Sequence, residues 1–391
     1  MSVPVSTHPW WIFCRVVDNL GDAGVSWRLA SQLAALSPAP SVTLVIDHLQ
    51  TLARFCPALG IDASTQQIQG VRILPWSVVE QDPAQLGSEH TVLPVSVVSA
   101  FSCELPPSVQ EFLQQCQVIP HWILFDYLSA ESWVEGCHGL SAPIPGYRGP
   151  RHFFFPGFTP RTGGLLREPG LLARRSEVQA SLIRQEAIWQ SWGLTEKTNL
   201  PTLTLFAYPD APWQSLREAM GSTGQAWRWV LFEGMEITEQ VGQADAFRAP
   251  AGNAWGKIEP VRVALRTQEE YDGLLWVSHF NLVRGEDSLV RALWAGRPFL
   301  WHLYPQAEGT HWVKLEAFLE RYLEGLETML AEVIANLFRA WNGRGEMTAA
   351  WQGMVPHWKG WEHHALAWSE GLSEQPDLVT KLVEFSNLEL K

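Results

Sequence analysis

Residues 16–24 read VVDNLGDAG. An apolar run, WWIFCRVV (10–17), stops at Asp18, and the two aspartates Asp18 and Asp22 enclose Gly21. Beyond this turn, 18–24, the segment VSWRLASQLAAL (25–36) carries apolar residues at helical spacing, and SVTLVID (41–47) reads as the next strand. Strand, turn, helix and strand in that order open a doubly wound parallel sheet. Ligands of such sheets gather beyond the carboxyl ends of the strands, where this turn falls. The spacing is not that of a GxGxxG fingerprint, and two acids repel a pyrophosphate. The loop is therefore assigned to the acceptor side of a reaction. Its plain reading is a helix cap, with Asp18 or Asp22 at the N-terminus and Gly21 and Gly24 permitting the turn. Its chemical reading is a general base, because neighbouring carboxylates push one pKa toward neutrality.

The strand series continues with VRILPW (71–76), TVLPVSVVS (91–99) and HWILFDYLS (121–129), with VQEFLQQC (109–116) as an intervening helix. Residues 142–170 are rich in Pro, Gly and aromatics and read as a long loop or interdomain segment. A charged helix over roughly 171–193 leads into a second α/β pattern. There TLTLFAYPD (202–210), WRWVLFEG (227–234) and KIEPVRVALR (257–266) are strands, and 269–305 packs helix, strand, turn, helix and strand together. The remainder reads as helical. At 391 residues the chain exceeds the ~250–300 that one core sustains. Two Rossmann-like domains facing across a cleft are expected: 1–170, joined by a C-terminal helix 375–391, and 185–374.

In the second half, NLVRGEDSLVRALWAG (281–296) runs from strand to helix. Asp287 or Ser288 either caps the helix, or the N–H groups of 287–289 grip a diphosphate, with the Ser288 hydroxyl added and Glu286 accepting from ribose or sugar hydroxyls. In LFAYPD (205–210), Phe206 and Tyr208 alternate at strand spacing and either pack in the core or stack a nucleobase. Gln268 reads as a loop residue ahead of a helix, solvated or touching a base edge. Arg161, Thr162, Gly163 and Gly164 form either an anion nest or a simple turn.

A net charge of −13 argues against a broad nucleic-acid surface. The five scattered cysteines include no CxxC pair, which fits free thiols in the cytoplasm and makes a zinc site improbable. The histidines His302, His311, His363 and His364 lack metal spacing and read as structural or surface. Neither a signal peptide nor a membrane helix is expected. Ser96, Ser99 and Ser102 form no GxSxG elbow.

Five segments together resemble the bacterial arginine rhamnosyltransferases that modify elongation factor P: DNLGDAGVSWRLA (18–30), FDYLSAESW (125–133), FFFPGFTPRTGGLLRE (153–168), LFAY (205–208) and VRGEDSLVRALWAGRPFLWHLYPQ (283–306). The resemblance implies a GT-B glycosyltransferase fold and an inverting transfer of rhamnose from TDP-β-L-rhamnose to an arginine of elongation factor P. The modified factor then helps ribosomes through proline stretches. It implies Asp22 as general base with Asp18 in support, and Asn19 and Gly21 beside them as substrate-binding positions. It places Phe206, Tyr208 and Gln268 in the nucleotide pocket and Glu286, Asp287 and Ser288 at the diphosphate and ribose. Neither a metal nor another cofactor is expected. Relatives tend to carry an aromatic three residues before the glutamine, where this chain has Leu265. Two rivals stand beside this reading: another nucleotide-sugar enzyme of the same fold, an epimerase or small-acceptor transferase, and a non-catalytic module that binds a basic protein.

Overall fold

The computed structural model describes residues 8–87, 96–144, 147–194, 200–232, 256–305 and 309–389. The chain forms two compact units, one of residues 1–169 with 373–391, the other of residues 170–372. Residues 170–184 thus fall with the second unit.

The first unit contains β1 (Trp10–Cys14), α1 (Asn19–Ala34), β2 (Val42–Ile46), α2 (Leu49–Ala53), β3 (Gln66–Ile68), β4 (Val71–Pro75), α3 (Trp76–Gln81), β5 (Ser96–Ala100), α4 (Pro107–Gln115), β6 (His121–Phe125), α5 (Val134–Cys137), β7 (Ser141–Pro143) and β8 (Pro150–Phe154). The sheet order is β3-β4-β2-β1-β5-β6-β8-β7. Its six central strands pair in parallel, and β3 and β7 join the edges antiparallel. Every residue of β1, β2, β5 and β6 is buried, the mark of a sheet covered on both faces, and this is why those strands read as largely apolar runs. Leaving out the edge strands, the order is that of a dinucleotide-type Rossmann sheet, with its reversal between β1 and β5.

Two expectations are corrected here. The turn assigned to 18–24 is mostly helix, since α1 begins at Asn19. Its start is closed from within: Asp22 Oδ2 accepts the backbone N–H groups of Val17 and Asp18, each at 2.8 Å. The segment 142–170 is not a linker, because it supplies β7 and β8 to the first sheet. Both are short, interrupted by Pro and partly exposed, so their composition hides them. Gly163 lies against the ring of Phe154, where a Cβ would sit 2.4 Å from it.

The second unit contains α6 (Leu171–Gln179), α7 (Leu182–Ser191), β9 (Thr202–Leu205), α8 (Trp213–Ser222), β10 (Trp227–Phe232), β11 (Ile258–Val263), α9 (Gln268–Val277), β12 (Phe280–Arg284), α10 (Gly285–Ala295), β13 (Phe299–His302), α11 (Thr310–Tyr322), α12 (Thr328–Trp341), α13 (Met347–Met354) and α14 (Trp358–Ser373). The charged helix expected over 171–193 is two helices, because Ser181 caps the second by accepting from the Arg184 N–H. The sheet β11-β10-β9-β12-β13 is wholly parallel and reverses between β9 and β12. Trp341, Trp351 and Trp361 of the helical part are fully buried, which accounts for some of the chain's tryptophan.

The last helix, α15 (Leu378–Glu389), belongs to the first unit. Leu378, Val379, Leu382 and Val383 enter the core that holds Trp10, Leu29 and Leu33. The five cysteines are free thiols, four of them buried. Among the described residues no helix is long and apolar enough to cross a membrane.

Candidate active site

In the first unit the chain leaves β1 at the sheet's reversal point and turns directly into α1. Asp22 is 2% exposed, and its Oδ2 is held by the two backbone N–H groups named above. This fixes the carboxylate in the first turn of the helix. Asp18 is half-buried at the N-cap position, yet its side chain makes no capping bond there. Its carboxylate instead lies over Gly21, where a Cβ would come within 2.6 Å of Oδ2. Glycine is required at 21 for that close approach, not for a turn. Asn19 is the first residue of the helix. The structure thus gathers Asp18, Asn19, Gly21 and Asp22 in one turn at the strand's carboxyl end. The first basic residue of α1, Arg28, is buried and bonded to Glu168 at 3.0 Å. A third acid joins the same edge, because Asp47 Oδ1 accepts the Val16 N–H at 3.0 Å.

Two residues at the end of β5 escape sequence reasoning. Phe101 and Ser102 both hold left-handed backbone, φ 56° and 55°. For residues with a Cβ this costs on the order of 1–3 kcal/mol each. Phe101 meets the Tyr127 ring at 4.7 Å, and Ser102 Oγ donates to Asp126 Oδ2 at 3.3 Å. Neither is glycine or asparagine, so no residue type announces the conformation.

In the second unit the corresponding reversal point lies between β9 and β12. The strand expected over 202–210 ends at Leu205, and the Phe206 N–H bonds the Leu282 carbonyl at 2.9 Å as the chain leaves the sheet. Phe206 and Tyr208 are both buried. One face of each ring is covered by the Arg284 guanidinium, whose Cζ stands 4.8 Å from either centroid. The rings that the sequence offers to a nucleobase are therefore bridged by a cation. Arg284 is the principal residue that sequence reasoning missed. Its signal was its position, the last residue of an apolar strand at a helix entrance.

That helix, α10, begins at Gly285, whose φ of 56° makes the sharp turn out of the strand. Arg284 is the N-cap residue, so the capping role expected of Asp287 or Ser288 is corrected. The first-turn N–H groups that point along the axis are those of 285–287, two residues earlier than expected. Ser288 is buried, and its hydroxyl accepts the Arg284 N–H at 3.0 Å and donates to the Arg284 carbonyl. It ties down the backbone of the arginine. Glu286 pairs with Lys314 at 2.8 Å, and Asp287 Oδ2 accepts from Gln268 Nε2 at 3.4 Å. Gln268 is not a loop residue: it opens α9 behind a Thr267–Glu270 capping box. The two helices are braced by a buried, two-bond ion pair, Arg291 to Asp272 at 2.9 and 2.7 Å. Phe206, Tyr208, Gln268, Glu286, Asp287 and Ser288 thus fall in one contact network around Arg284 and the start of α10.

The remaining candidates resolve simply. Arg161 pairs with Glu135 at 3.3 Å, and Thr162 closes a local turn with Thr159. His302 ends β13 inside the second unit, 4% exposed and 5.7 Å from the Tyr208 ring. Burial pushes its pKa down to about 4. Among the described residues no three His, Cys, Asp or Glu side chains cluster as metal ligands do.

Comparison with known proteins supplies the context. The family model of the Elongation-Factor P (EF-P) rhamnosyltransferase EarP matches residues 10–387. A protein-arginine rhamnosyltransferase of Pseudomonas putida is 40% identical over 384 residues, covering 96% of this chain and 98% of that one. One from Neisseria meningitidis is 32% identical over 394 residues, covering 97% and 98%. A solved structure described as the structural basis for EarP-mediated arginine glycosylation of translation elongation factor EF-P superposes with a TM-score of 0.61 at 29% identity, covering 97% of this chain and 99% of that one. A ugt transferase from Siraitia grosvenorii in complex with UDP superposes with a TM-score of 0.54 at 12% identity, covering 98% and 100%, a likeness of fold alone.

Proposed function

The chain belongs to the family of EF-P rhamnosyltransferases and has the GT-B fold, and from that premise we propose the chemistry of its two loops. It is a protein-arginine rhamnosyltransferase acting on elongation factor P. Its donor is TDP-β-L-rhamnose, and the anomeric carbon inverts. The observation that carries the assignment of roles is one of charge. The first unit sets carboxylates after β1 beside its sheet reversal, and the second sets a guanidinium and a helix start after β12 beside its own.

An arginine is a poor nucleophile, being protonated up to a pKa above about 12 and delocalised. Carboxylates orient such a cation and take its proton as it attacks. Asp22 is the general base and Asp18 supports the guanidinium. One guanidinium nitrogen bonds the anomeric carbon, the bond from that carbon to the diphosphate oxygen breaks, and the nitrogen's proton passes to Asp22. The departing charge is met by Arg284 and the N–H groups of 285–287. Glu286, Asp287 and Gln268 hold the ribose, sugar and base edges. The reaction takes place in the cytoplasm and uses protein groups in place of a metal.

The test incubates the chain with TDP-rhamnose and elongation factor P, with and without EDTA, and reads the factor's intact mass. One added deoxyhexose, unaffected by EDTA, is expected. An unmodified factor overturns the donor and acceptor assignment, and loss of transfer on chelation overturns the metal-free one.

A further inference from the structure

His302 stands at the end of β13 as the strand-register partner of Arg284 at the end of β12. Its ring lies between Tyr208, at 5.7 Å, and Trp341, at 5.9 Å. It is 96% withdrawn from solvent by its 4% exposure, and its Nδ1 has no hydrogen-bond partner among the described residues. A buried polar atom without a partner costs stability. A phenylalanine ring, a little larger, carries no such atom, so hydrogen bonding among the described residues does not account for an imidazole nitrogen at Nδ1. Asp210, Arg284 and His311 are the titratable groups whose electrostatics reach it. Burial keeps the ring neutral at physiological pH, so it adds no repulsion to the neighbouring guanidinium.

We propose that His302 is a positioning residue for the donor diphosphate, a buried polar ring that orders Tyr208 and, through it, the Arg284 guanidinium that the anion meets. This rests on the donor reading of the second unit. The Arg284 cation is shared between two rings at equal distance, 4.8 Å each, and Tyr208 is the ring that His302 touches. Removing the imidazole nitrogens leaves Tyr208 a differently polar neighbour and loosens the shared arrangement, while the core stays filled.

The experiment compares the full-length wild type with His302→Phe and His302→Gln. Thermal unfolding, calorimetric titration with TDP, and KM for TDP-rhamnose and for elongation factor P are measured. For His302→Phe the expected result is a Tm equal to or above wild type, a TDP Kd raised at least about 10-fold, and an unchanged acceptor KM. His302→Gln, which keeps a polar group, recovers part of the affinity. TDP affinity within threefold of wild type in both variants overturns the proposal, whatever the Tm. If the phenylalanine variant also loses Tm, the KM values decide: a rise for the donor alone supports positioning, and equal rises for donor and acceptor overturn it. A wild type that fails to bind TDP overturns the donor reading and this proposal together, whereas a wild type that binds beside unaffected variants overturns this proposal alone.

Discussion

The loops after β1 and after β12 do the same structural job with opposite chemistry. Each leaves a buried parallel strand at the reversal point of its sheet and enters a helix within a few residues. After β1 the helix start is tied by an acid, Asp22, taking backbone N–H groups. After β12 it is tied by a hydroxyl, Ser288, which accepts the Arg284 N–H and donates to the Arg284 carbonyl. The first arrangement leaves a second carboxylate, Asp18, packed over a glycine. The second leaves a guanidinium bridging two aromatic rings. One fold therefore carries an acidic strand end in one unit and a basic one in the other, which is what the proposed cationic acceptor and anionic donor call for.

The comparison breaks first at Asp22. An Asp22→Asn exchange keeps an oxygen able to accept the Val17 and Asp18 N–H groups and removes the charge. Loss of kcat by about 10²–10⁴-fold is expected if the carboxylate is a base. Stopped-time mass spectrometry of the acceptor measures it, and a near-normal rate would reduce Asp22 to a loop tie. Next is Arg284→Gln, which removes a charge-assisted contact to the diphosphate and raises the TDP Kd by roughly 10–100-fold, read by calorimetry. Gly21→Ala is third. Its Cβ displaces only the end of the Asp18 side chain, so unfolding temperature stays nearly constant while kcat falls about 10-fold. An unchanged kcat would remove Asp18 from the acceptor side.

A last effect, on stability and not on rate, is shared by both units. Burial holds His8 and His302 down to about 4 and His121 to about 3. Between pH 6.5 and those values the unfolded chain binds more protons than the folded one, so stability falls as pH falls. Each such ring contributes roughly 2 kcal/mol of loss between pH 6.5 and 5, about 1.4 kcal/mol per pH unit. Scanning calorimetry from pH 7 to 5 should show a steady drop in Tm. A Tm that holds or rises would contradict the neutral, buried state of these rings.

Much of this was legible in the chain itself. The central strands announce themselves because both of their faces are buried, leaving apolar runs such as WWIFC and VTLVI. Boundaries were harder. Gly21 and Gly24 look like turn residues but lie inside α1, and glycine stands at 21 because the Asp18 side chain occupies the space a Cβ would need. The edge strands Ser141–Pro143 and Pro150–Phe154 were hidden by their prolines and partial exposure. Candidate residues close in sequence, such as Asp18 with Asp22 and Glu286 with Ser288, were found together. Arg284 was not, because its significance lies in contacts with Phe206 and Tyr208, more than seventy residues earlier. The Glu286–Lys314 and Gln268–Asp287 pairs, 28 and 19 residues apart, also join different helices. Contacts of that kind are set by strand order, which local periodicity does not carry.

The division of labour is tested most directly by titrating TDP into Asp22→Asn and Arg284→Gln side by side with the wild type. Asp22→Asn should bind TDP within twofold of wild type although its transfer rate falls by about 10²–10⁴-fold, and Arg284→Gln should bind at least 10-fold more weakly. Loss of TDP affinity in Asp22→Asn, or full affinity in Arg284→Gln, would contradict the assignment of acceptor and donor to the two loops.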